Sequence, residues 1–112
     1  MRLWHNEGPE RANDLPMEIA DWRKKIDAID RELVRLLNER ARCVVEIGEI
    51  KRANSLPIQQ TSREQEVLKN VLDSNQGPLQ NEQLRRVFQQ IVEEAKGLER
   101  RLLEKEKSEP KS

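Results

Sequence analysis

Apolar residues recur along the chain at intervals of three and four, in three separate blocks. In "LVRLLNERARCVVEIGEIKRAN" (residues 33–54), Leu33, Leu36, Leu37, Val44 and Ile47 mark one face, and Ile19, Trp22, Ile26 and Ile29 extend it upstream. This spacing predicts a helix from about Met17 to Ala53, with Pro16 near its start. The segment "NSLP" stops it, with Asn54 as a left-handed cap. A second helix opens at "TSRE", where Thr61 and Glu64 fit a capping box. It carries Val67, Leu68, Val71 and Leu72 and ends at "SNQGP". A third runs from about Leu79 past Leu103, with Leu84, Val87, Phe88, Ile91, Val92, Ala95, Leu98 and Leu102 turned inward. Gly48 costs about 1 kcal/mol inside the first helix relative to Ala. It marks either a break or the close approach of another helix. Residues 1–16 lack periodicity and read as a flexible N-terminal arm, 17–104 as one helical domain, and 105–112 as a disordered tail.

Composition sharpens the fold class. Aromatic residues are 3% of the 112, and Gly numbers only four, which argues against a sheet and for an all-α protein. Twenty-one Lys and Arg balance 21 Asp and Glu. A neutral chain has no long-range field to draw it onto nucleic acid or anionic membrane, so neither is expected as a partner. One Cys makes an intrachain disulfide impossible, and one His argues against a His-rich metal site. No run approaches the roughly 18 apolar residues of a membrane span. The N-terminal "MRLWHNEGPERANDLP" has no apolar core of the kind a secretory signal carries. A cytoplasmic location is expected.

Helix length bears on assembly. About 36 residues at roughly 1.5 Å each make a rod of ~54 Å. A compact domain of this size has a radius of gyration near 13 Å. The second and third helices cannot cover an apolar stripe that long, so a homodimer is expected, with the long helices packed together.

Two cations interrupt the stripe. Arg40 and Lys51 are eleven residues apart, roughly 20° out of phase after three turns, and so share one face. Other charges of this helix have partners at i+3 or i+4: Glu32 with Arg35, Glu39 with Arg42, Arg42 with Glu46, and Glu49 with Arg52. Arg40 and Lys51 have no acid within helical reach. The bland explanation is that both snorkel to water or pair with an acid on another helix. Glu64 lies in line with Val67, Leu68 and Val71, next to Arg63, and Glu99 falls on the apolar face of the third helix. Each has an ordinary account: the capping box for Glu64, a pair with Lys96 for Glu99, a pair with Glu66 for Arg63. Together, every helix offers ionisable groups to the interior with cations in excess, the pattern of a pocket for a small anion.

The stretch "WRKKIDAIDRELVRLLNERARCVVEIGEIKRANSLPIQQTSREQEVL", followed by "VFQQIVEEAKGLERRL", resembles the all-helical (AroQ-class) chorismate mutases over residues 18–103. The specific elements are "R..ID.ID..L..LL.ER", then "IG..K", then "P" and "RE", ungapped over the first two helices. The resemblance implies a three-helix protomer with one long N-terminal helix, in an intertwined homodimeric bundle. It also implies the rearrangement of chorismate to prephenate, without cofactor or metal, in aromatic amino acid biosynthesis. By resemblance, Arg40 and Arg63 bind the carboxylates of the dianionic substrate, and Arg23 reaches in from the other subunit. Lys51 contacts a carboxylate and the ether oxygen, Glu64 accepts a hydrogen bond from the ring hydroxyl, and the backbone near Gln60 assists. Glu99 faces Lys51 across the ether oxygen. Arg suits planar carboxylates through paired N–H donors, and Lys acts as a point charge at one oxygen.

Three positions depart from the family pattern. Gln60 stands where Asp is common, at a backbone contact. Ala95 stands where a Ser can touch a carboxylate, and Glu99 where Gln often stands. Only a protonated Glu can donate a hydrogen bond to an ether oxygen, and an apolar surround and the substrate's negative charge both favour that form. Two rival readings remain open at this level: an isochorismate–pyruvate lyase, which shares the fold and binds a similar dianion, and a non-catalytic helical dimerisation module. A pure packing module would more naturally carry Leu or Val at positions 40 and 51.

Overall fold

The computed structural model describes residues 15–57 and 61–108, with side chains over 18–57 and 61–104. Three helices make up the fold: α1 (Leu15–Ala53), α2 (Thr61–Asp73) and α3 (Asn81–Ser108). Among the described residues there is no strand. The helix α1 starts two residues ahead of the expected Met17, and α3 continues to Ser108, past the expected domain limit at 104. Residues 1–14 of the expected arm and 109–112 of the expected tail lie outside the described residues. No helix is long and apolar enough to cross a membrane among the described residues.

The chain divides into two units, Met1–Glu39 and Arg40–Ser112. In the first, the described residues belong to α1, and their apolar stripe is uncovered. Ile19, Trp22, Ile26, Ile29, Leu33, Leu36 and Leu37 are each between 43% and 54% exposed. Their polar neighbours form a solvated face. Arg35 pairs with both Glu32 and Glu39, so Glu39 is taken by Arg35 and not by Arg42 as its spacing suggested. Lys25 stands 5.3 Å from the Trp22 ring centroid.

In the second unit, α2 packs on α3. Val67, Leu68, Val71 and Leu72 of α2 and Leu84, Phe88, Ile91 and Val92 of α3 are half-buried. Val87, expected inward, is 51% exposed. Among the described residues no side chain is fully buried in either unit. Asn75 ties the α2–α3 turn: its amide donates to the Leu79 carbonyl (2.9 Å) and to Asn81 Oδ1 (2.8 Å), while its Oδ1 accepts from Gly77 N–H (2.9 Å). Gly77 has φ +76°, a conformation that favours a residue without Cβ.

The end of α1 differs from expectation by one residue. Ser55, not Asn54, takes the left-handed conformation (φ 58°). Leu56 N–H donates to the Lys51 carbonyl (2.7 Å) and Ser55 N–H to the Arg52 carbonyl (3.2 Å), the paired bonds of a Schellman cap. Asn54 instead closes the last turn through its side chain, donating to the Ile50 carbonyl at 2.8 Å. The helix passes through Gly48 unbroken. A Cβ there would lie 3.6 Å from Glu99 Oε2 and 3.7 Å from Glu99 Cγ, so this glycine marks the close approach of α3.

Candidate active site

Lys51 sits in the last turn of α1, where the negative end of the helix dipole favours a cation. Its Nζ is 3.7 Å from Glu99 Oε2 of α3, and the two side chains are only 16% and 9% exposed. That separation exceeds an ordinary N–H···O bond, so the carboxylate is faced by the ammonium without being closed off by it. Withdrawing two charges from water is costly, and a packing interface gains little by keeping them. The ordinary account of Glu99, a pair with Lys96, does not hold: Lys96 is engaged elsewhere.

Lys96 lies one turn earlier on α3. Its Nζ is 2.9 Å from Glu93 Oε2 and 3.3 Å from Glu64 Oε2 of α2, and its side chain is 17% exposed. Hydrogen bonding to Glu93, with Glu64 adding to it, raises the Lys96 pKa above the usual lysine value. Glu64 stands in the first turn of α2, where a carboxylate is favoured by the positive helix end. Its carboxylate turns to Lys96 on α3, where the capping box had directed it to the helix start.

Lys51, Glu99, Lys96 and Glu64 border a cleft of about 320 Å³. Among the described residues its cations are Arg40, Lys51, Arg63 and Lys96, and its acids are Glu64 and Glu99. Four positive against two negative leaves a formal excess of two positive charges on the lining. Cys43, Val44, Ile47, Val67, Val92 and Ala95 complete the walls with apolar surface. The cations differ in what holds them. Arg40 is half-buried and has no carboxylate partner among the described residues. Arg63 borders the cleft, but its guanidinium donates to Glu66 Oε1 at 2.7 Å and its side chain is 61% exposed, the ordinary pairing expected at i+3.

Of the positions singled out by sequence, Arg40, Lys51, Arg63, Glu64, Ala95 and Glu99 therefore meet at one cleft in the second unit. Arg23 belongs to the first unit and is exposed. Gln60 lies outside the described residues. Lys96 is the charged lining residue that sequence reasoning missed as a site group. Its signal was present: it follows Val92 by four residues, on the same stripe as Phe88 and Ala95. No group of His, Cys, Asp and Glu suited to a metal ion occurs among the described residues.

A polar, cation-rich hollow with apolar walls can hold a small dianion and stabilise charge developing on it. A family model described as chorismate mutase type II matches residues 22–100. A bifunctional chorismate mutase/prephenate dehydratase of Aquifex aeolicus is 38% identical over 89 residues, covering 76% of this chain and 25% of that protein. A chorismate mutase of Methanocaldococcus jannaschii is 28% identical over 102 residues, covering 84% of this chain and 96% of its own length. The solved structure of a chorismate mutase (form II) from Thermus thermophilus superposes with a TM-score of 0.73 at 38% identity, over 75% of this chain and 96% of that one. The chain spans about a quarter of the length of the bifunctional relatives it matches. On the family match over residues 22–100 and these likenesses, the chain belongs to the chorismate mutase type II family.

Proposed function

We propose that this chain catalyses the rearrangement of chorismate to prephenate in the cleft of its second unit. The observation that carries the reading is the Lys51–Glu99 pair, two nearly covered charges from different helices on the wall of a hollow that Arg40 also borders. The reaction breaks an ether C–O bond as a C–C bond forms, within one molecule. It asks the protein to hold a flexible dianion folded and to stabilise negative charge growing on the ether oxygen. Arg40 and Arg63 take the carboxylates, Lys51 a carboxylate and the ether oxygen, and Glu64 the ring hydroxyl. Arg63 must leave Glu66 to do so, a small cost for an exposed pair. Glu99 faces Lys51 across the ether oxygen.

The protein works as a homodimer in this reading. Seven half-covered apolar side chains along residues 19–37 leave roughly 5–10 kcal/mol of burial unrealised per chain, at about 1.5–3 kcal/mol for complete burial of each. A second copy laid on this stripe covers it and carries Arg23 to the neighbouring cleft. Incubation with chorismate and chromatography of the products tests the activity: prephenate is expected. Salicylate with pyruvate from isochorismate, and no prephenate from chorismate, would instead mark the lyase. No turnover of either would mark a dimerisation module.

A further inference from the structure

Among the described residues, Lys96 is the one charged group on the lining that the proposed chemistry leaves without a task. It is held in a specific place: covered to 17% exposure, between Glu93, which is 57% exposed and outside the cleft lining, and Glu64 inside it. The contact is made to Oε2 of Glu64, at 3.3 Å. We propose that Lys96 is a positioning residue, clamping one carboxylate oxygen of Glu64 so that the other is presented to the ring hydroxyl of the substrate. This rests on the chorismate reading of the cleft.

The physical case is one of rotamer freedom and charge. A Glu side chain has three rotatable bonds, and fixing it costs free energy that a tether can supply before the ligand arrives. A carboxylate with one oxygen paired to an ammonium keeps acceptor capacity on the second oxygen. Glu93 in turn keeps the ammonium from swinging to the dianion, since it holds Lys96 at 2.9 Å and does not itself line the cleft. Lys96 therefore acts through Glu64, not by direct attraction to the substrate. The alternative, a fifth hand on the dianion, predicts a different pattern of coupling.

The test is a double-mutant cycle on the full chain with chorismate as substrate. Loss of a pre-set ground-state contact appears in KM, so Lys96→Met should raise KM about tenfold with a much smaller change in kcat. Lys96→Arg, which keeps a charged donor, should restore KM to within about threefold of the parent. In a Glu64→Gln background, Lys96→Met should cost less than about twofold, because the group it positions no longer carries charge. An equal cost in both backgrounds overturns the proposal in favour of direct attraction, and an unchanged KM in Lys96→Met overturns it outright. A parent protein that forms prephenate while the cycle is flat sinks only the role of Lys96. A parent that neither forms prephenate nor binds a bicyclic dianionic inhibitor by calorimetry sinks the reading of the cleft, and the positioning role with it.

Discussion

Helix α1 carries one hydrophobic period through both units, yet the outcome differs between them. Along residues 19–37 the apolar positions are half exposed, as at Leu33 (50%) and Leu37 (43%). From Arg40 onward α1 meets α3 at Gly48 and Lys51, Val44 and Val45 are half-buried although Ile47 stays 50% exposed, and Lys51 and Glu99 are drawn under cover. Periodicity alone states which face seeks a partner. It does not state whether the chain supplies one. Where the chain does, the interface holds the cations and carboxylates of a site. Where it does not, the face remains available to another copy.

The contrast can be broken at its strongest point by Lys51→Ala. Removing a donor aimed at developing charge should lower kcat about 10²–10³-fold while the far-ultraviolet circular dichroism stays that of a helical protein. Retention of near-parental turnover would remove Lys51 from the chemistry. Next in size, a charge placed on the uncovered stripe tests the other region. Leu33→Lys occurs twice in a two-fold symmetric assembly and should weaken the dimer by at least about 100-fold in sedimentation equilibrium. A parental association constant would show that this face is not the interface. The gentlest probe is Glu99→Gln, which removes a covered charge 3.7 Å from Lys51 at nearly constant size and should change kcat by about tenfold. A parental kcat in the variant would leave Glu99 without a role in the chemistry.

Much of this arrangement was legible in the sequence, for identifiable reasons. Long amphipathic blocks fixed the three helices to within two residues at most ends, because period and stop signals agreed. Cations interrupting a greasy stripe pointed to Arg40 and Lys51, and both border the cleft. The cap at Ser55 was misplaced by one residue because Asn also tolerates the left-handed conformation, and its side chain found a carbonyl within the helix. Lys96 was missed because Glu99 at i+3 offered it a local partner in the sequence, which hid its reach across to Glu64 of α2. Cross-helix pairing of this kind has no signature in spacing along one helix. Arg63 shows the reverse, a residue marked for the site whose local pairing with Glu66 is the one observed.

In the proposed homodimer, the uncovered region of one copy completes the cleft of the other, and complementation between variants tests this. Arg23→Ala and Lys51→Ala chains, each prepared alone, should have little turnover of chorismate. Co-refolded in equal amounts, half of the dimers pair one chain of each kind, and each of those holds one site with both side chains intact. Turnover should then return to roughly a quarter of the parental value, as expected for random pairing in a two-fold dimer. A mixture no more active than its two components would contradict a site shared between copies.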